Sequence, residues 1–162
     1  MNIIQIWSIG ALRILTYTVA TDGGHMEQSR LLILLQLLVI AAYYDTKYRV
    51  IPNPLILMGV FSGALLLPFS LLSQLKYLLT FIAALMLLCP VFYLGGAGAG
   101  DLKLSAIVLS FLGITDGARV LLPACAIALI QMLLFHRKTV PFAQPLLLGA
   151  IPTLLPGVLL LP

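Results

Sequence analysis

From Leu71 to Leu94 a single side chain, Lys76, carries a charge. Roughly 20 helical residues cross the ~30 Å hydrocarbon core of a bilayer, so this run is long enough to span one. Similar runs occupy residues 28–44, 53–69, 118–135 and 143–161, and a shorter one, amphipathic at its start, lies at 101–115. Within lipid every backbone N–H and C=O must be satisfied inside the protein, which restricts such segments to helices or closed barrels. Barrel strands alternate apolar and polar residues, and these runs do not. The expected fold is an all-α, polytopic membrane helix bundle. It has about six transmembrane helices joined by short loops.

Composition supports the same class. Of 162 residues, 62% are hydrophobic and 9% charged, with a mean hydropathy of +1.14. A soluble domain of this length carries about a quarter charged residues. So much apolar surface cannot be hidden in a fold this small, and the lipid bilayer is the expected partner. The formal net charge of +4 reads as topology signal, with no nucleic-acid partner expected. Pro90, Pro123 and Pro152 fall inside runs or near their starts and predict kinks or late helix starts.

Residues 26–162 form the expected membrane-embedded domain. Residues 1–25 are read separately, because Arg13 interrupts an otherwise apolar stretch. They fit an extra spanning helix, an interfacial helix or an upstream extension of the reading frame, with Met26 as an internal start. They do not fit a signal peptide, which needs a basic start and an unbroken apolar core. Loop charges set the orientation. Lys47, Arg49, Lys103, Arg137 and Lys138 fall on one side of a six-helix arrangement, and Arg30, Lys76 and Arg119 on the other. The richer side is expected to be cytoplasmic.

The chemistry rests on few residues. Cys89 and Cys125 lie in apolar runs without a CxxC or Cys/His cluster, so buried small hydrophobes are expected. No metal or cofactor is implied: His25 stands alone, and His136 sits in a basic loop. Five acids exist. Asp22, Glu27 and Asp116 fall in polar or turn segments and read as solvated. Asp45 closes an apolar run in AAYYDTKYRVIPN, and Asp101 opens one in GGAGAGDLKL.

A carboxylate at the membrane boundary suggests function. Two plainer readings stay open: Asp45 as a topology marker beside Lys47 and Arg49, and Asp101 as a helix N-cap. As a pair the two have a chemistry. Carboxylates a few ångströms apart share a proton, so one can act as base on water while the other donates to a scissile carbonyl. The glycines before Asp101 would let a substrate backbone approach closely. Gly96 and Gly100 also fit small-residue helix packing.

These residues resemble the prepilin peptidase family, membrane aspartic proteases that process type IV prepilins and related precursors. One signature is an aspartate, a basic linker and Ile-Pro-Asn, here Asp45, Lys47, Arg49, Ile51, Pro52 and Asn53. The other is Gly-x-Gly-Asp-x-Lys-Leu, here Gly98, Gly100, Asp101, Lys103 and Leu104. A late Pro-Phe-x-x-Pro segment, PFAQP at 141–145, is similar as well. The resemblance implies that Asp45 and Asp101 are the catalytic pair. Gly98 and Gly100 would shape the active-site loop, and Pro52 and Asn53 would start the second helix beside it. It also implies a multi-pass plasma (inner) membrane enzyme with its site facing the cytoplasm. Its substrates would be prepilin or pilin-like precursors with a short basic leader.

Lys103, two residues from Asp101, points elsewhere on a helix and reads as snorkelling to the interface. The paired CxxC motifs of bifunctional members are missing. The chain therefore resembles the short, peptidase-only branch of tight-adherence (Flp-type) pilus systems and archaeal preflagellin peptidases, and no N-methyltransferase activity is expected. Two other readings stay open. One is an intramembrane protease resembling presenilin or signal peptide peptidase, which Tyr44-Asp45 fits in part. The other is a non-catalytic transport or assembly subunit.

Overall fold

The computed structural model describes residues 25–67, 70–93, 98–135 and 141–159. The N-terminal stretch 1–24 and the basic loop with Arg137 and Lys138, both used in the reading above, lie outside the described residues. Five helices follow in order: α1 (His25–Tyr48), α2 (Asn53–Leu65), α3 (Leu71–Tyr93), α4 (Ala99–Phe135) and α5 (Ala143–Leu159). Most of the described residues are helical, with no strand among them, so the chain is an all-α bundle.

The six expected segments are recovered once α4 is inspected. Gly113 interrupts it with φ 81° and ψ 171°, a conformation open essentially to glycine alone. In an unbroken helix residues 109 and 117 would stand about 12 Å apart. Here a side chain added at Gly117 would come within 3.0 Å of the Leu109 backbone. The chain therefore folds back at Gly113, and α4 is two helices in a hairpin, residues 99–112 and 114–135. The expected break at 116–117 is corrected to Gly113. Asp116 lies in the second limb, not in a turn. It stays exposed, paired with Arg119 at 2.8 Å.

Two further expectations change. α1 continues to Tyr48, three residues past Asp45, which therefore sits within its last turn. Among the described residues, α1, α3 and the two limbs of α4 taken together are long and apolar enough to cross a membrane, and α2 and α5 are shorter apolar helices. Pro90 and Pro123 lie inside α3 and α4 without ending them, and Pro152 lies within α5. The cysteines are not buried: Cys89 is half-buried and Cys125 exposed. On spanning helices an exposed face meets lipid.

The first limb of α4 is the centre. Leu104, Ile107 and Val108 are fully buried, as are Ile33, Leu34, Leu37 and Leu38 of α1 and Leu146 of α5. α4 packs most broadly on α5 and α3, and α1 packs on α5. Apolar side chains gain little by trading lipid for protein, so close backbone approach carries much of the association. Gly59 admits Leu37 of α1 and Ile107 of α4, and Gly63 admits Tyr77 of α3 and Phe111 of α4. At Gly149 an added Cβ would meet the Val120 carbonyl oxygen at 2.6 Å and the Ala124 nitrogen at 3.0 Å. α3 is the most lipid-exposed spanning helix, with 11% of its apolar window buried.

Two glycines separate two kinds of cost. Gly149→Val must push α5 off the α4 backbone and is expected to destabilise by about 3 kcal/mol. Gly113→Ala meets no atom within 4 Å, so its expected loss of about 1–3 kcal/mol is conformational. Denaturant unfolding in detergent reads both, and wild-type stability of Gly149→Val would refute the close contact.

Candidate active site

The buried stripe of α1 aims Asp45 into the bundle. Ile33, Leu37 and Ala41 recur at four-residue steps on one helix face, and all are fully buried. The next step is Asp45, which is 6% exposed. Arg49 then ends the helix. It adopts φ 55° and donates its N–H to the Asp45 carbonyl at 3.0 Å, a left-handed cap usually filled by glycine. Pro52, extended at φ −67° and ψ 134°, starts α2.

A carboxylate in the last turn of its own helix faces that helix's negative end. α5 supplies the compensation. The backbone N–H of Ala143, at the start of α5, donates to Asp45 Oδ2 at 3.0 Å in a buried bond. The positive end of α5 thus faces the Asp45 carboxylate. This amide was not legible in the sequence, because a backbone donor can belong to any residue type. The PFAQP segment, whose third residue is Ala143, was the available signal.

Asp101 occupies the first turn of α4, where a carboxylate is favoured. The helix begins at Ala99, two residues before Asp101, so Asp101 is not the N-cap. Its Oδ2 instead accepts the Gly98 N–H at 3.3 Å. This is the reach-back half of a capping box, from the third helical position to the residue before the helix. An added side chain at Gly98 would stand 3.1 Å from that Oδ2. At Gly100 it would stand 3.1 Å from Ile51 Cβ. The space kept at both glycines is taken by the chain's own atoms, and neither has a positive φ among the described residues. Gly95 and Gly96 lie outside the described residues.

The two sequence motifs meet in space. Ile51 packs on Gly100. Lys103 Nζ donates to Asn53 Oδ1 at 3.0 Å, across 50 positions of sequence. Lys103 therefore does more than snorkel: it bridges to the first residue of α2. The same contacts bring Asp45 and Asp101 to one end of the bundle. Asp45 is buried and Asp101 half-exposed, so the pair reaches solvent from the Asp101 side. Lys47 stacks over Tyr43 and Tyr48, with centroids at 5.5 and 5.2 Å, which places a cation–aromatic cluster at the same end.

A cavity of about 360 Å³ lies at the other end of the bundle, lined by Arg30, Phe111, Asp116, Arg119 and Thr153 among others. Arg30 precedes Asp45 by about 22 Å along α1, so this cavity is not part of the aspartate site. Arg30 there donates to the Phe111 carbonyl at 2.8 Å, capping the first limb of α4 where Gly113 breaks it. The basic residues are thus sorted as the loop reading expects, with Lys47, Arg49 and Lys103 at the aspartate end and Arg30 and Arg119 at the far end.

Neither a curated protein nor a solved structure is a significant match to the chain. A profile of the type IV leader peptidase family matches residues 32–133. The matched region contains Asp45, Pro52, Asn53, Gly98, Gly100, Asp101 and Lys103, and stops short of Ala143. It covers more than half of the chain, and the chain belongs to the type IV leader peptidase family.

Proposed function

We propose that this protein is an aspartic endopeptidase of the plasma membrane that removes the short basic leader from prepilin-like precursors at the cytoplasmic face. The observation that carries this reading is the meeting of the two aspartate motifs at one end of the bundle, in a member of a leader peptidase family. One carboxylate takes a proton from water, and the resulting hydroxide adds to the scissile carbonyl carbon. The other carboxyl, protonated, donates to the carbonyl oxygen. Collapse of the tetrahedral intermediate breaks the C–N bond, with a proton passing to the departing amine. One water is consumed, and the pair again holds one proton. The half-exposed Asp101 offers the approach for an extended leader, and the buried Asp45 is held by the α5 amide.

Asparagine at either position keeps an oxygen for the existing bond from Ala143 or Gly98, so the fold should survive. Asp45→Asn and Asp101→Asn are each expected to lower cleavage of a co-expressed pilin precursor on the order of 10²–10⁴-fold. Membrane insertion and yield should be unchanged. Normal processing by either variant would rule out the aspartic mechanism.

Orientation is tested separately. In a chain with Cys89 and Cys125 replaced by alanine, a cysteine at exposed Arg49 should react with an impermeant maleimide only in inverted vesicles. A cysteine at Arg119 should react only in intact cells or right-side-out vesicles. The opposite pattern would put the aspartates on the wrong side for a cytoplasmic leader.

A further inference from the structure

From the contacts around α4 we infer that Lys103 and Asn53 form a clamp that sets the rotation of the α4 first turn and so aims Asp101 at Asp45. The inference rests on the aspartic reading above. Successive residues on a helix are 100° apart, so Lys103 is turned about 200° from Asp101. Lys103 cannot share the face that carries the carboxylate. It reaches the opposite way, to Asn53 Oδ1 at 3.0 Å.

Gly100, one residue before Asp101, is held against Ile51. The three-residue segment 51–53 therefore grips the start of α4 at two points on either side of Asp101 in sequence. Segment 51–53 connects directly to α1 through the cap at Arg49, so the grip references Asp101 to the helix that carries Asp45. A carboxylate lies about 5–6 Å from its helix axis, so a 20° rotation of α4 would carry it about 2 Å. Misplacement by 1 Å can cost about 10²-fold in rate. Asp45 has its own fixed reference, the Ala143 amide. The Asp101 anchor to Gly98 is a bond within its own turn and does not restrain that turn's rotation.

The clamp is exposed, so it adds little to stability. Its role is geometric, and the two roles can be told apart. The test uses the purified full chain in nanodiscs with a pilin-type precursor that has a basic leader, a glycine and a hydrophobic segment. Lys103→Met and Asn53→Leu should each lower kcat about 10- to 100-fold, with KM and the unfolding midpoint nearly unchanged. The double variant should be no slower than the slower single one, because both remove the same bond. Asn53→Asp, which keeps the acceptor in place, should recover most of the rate.

Additive losses, or a wild-type kcat in Lys103→Met, would overturn the clamp. A fall in the unfolding midpoint that matches the fall in rate would also overturn it, in favour of a structural role. If Lys103 instead acted through its charge on Asp101, Asn53→Leu would retain full activity, and the clamp would again fail. Asp101→Asn runs alongside as the reference. An active Asp101→Asn would sink the aspartic reading itself, whereas an inactive one beside a normal Lys103→Met would sink the clamp alone.

Discussion

Lipid tails are as apolar as leucine, so a leucine gains almost nothing by leaving one for the other. Everything in this bundle follows from that constraint. What holds the helices is how closely their backbones approach and where their few polar groups tie. Gly149 brings α5 onto the α4 backbone, and Gly59 and Gly63 seat α2 against α1, α3 and α4. The polar ties collect at the two ends. Arg30 closes the first limb of α4 at one end; Ala143 and Lys103 engage Asp45 and Asn53 at the other. The middle is left to shape.

Much of this was legible in the chain. Apolar runs with almost no charges dictate helices in lipid, and the two aspartates are conspicuous because each stands at the edge of such a run. The motifs around them also carry the family. The parts that were not legible share a physical cause. The fold-back at Gly113 looks, as a sequence, like one more small residue in an apolar run. The Asp-Gly pair at 116–117 is the stronger turn signal by type. What selects Gly113 is a backbone conformation that no neighbouring residue type announces.

The site was legible as side chains and illegible as bonds. Ala143 contributes only an amide hydrogen, and alanine gives no hint of it. Lys103 near a membrane boundary reads as a snorkelling cation until α2 is brought within 3.0 Å of it. Asp101 at the third helical position and not before the helix depends on where α4 starts, and helix boundaries are the least certain part of any sequence reading. Gly98 and Gly100 suggested room for a ligand. A side chain at either would meet the Asp101 carboxylate or Ile51, which ties the glycines to assembly of the site as well.

α2 has 13 residues, a length of about 20 Å. Hydrocarbon about 30 Å thick cannot match it without adjustment. A short apolar helix is accommodated by locally thinning the bilayer or by drawing its flanks below the headgroup plane. Asn53 begins that helix and is joined to the turn that carries Asp101. Hydrophobic mismatch at α2 would therefore bear on the depth at which that turn sits.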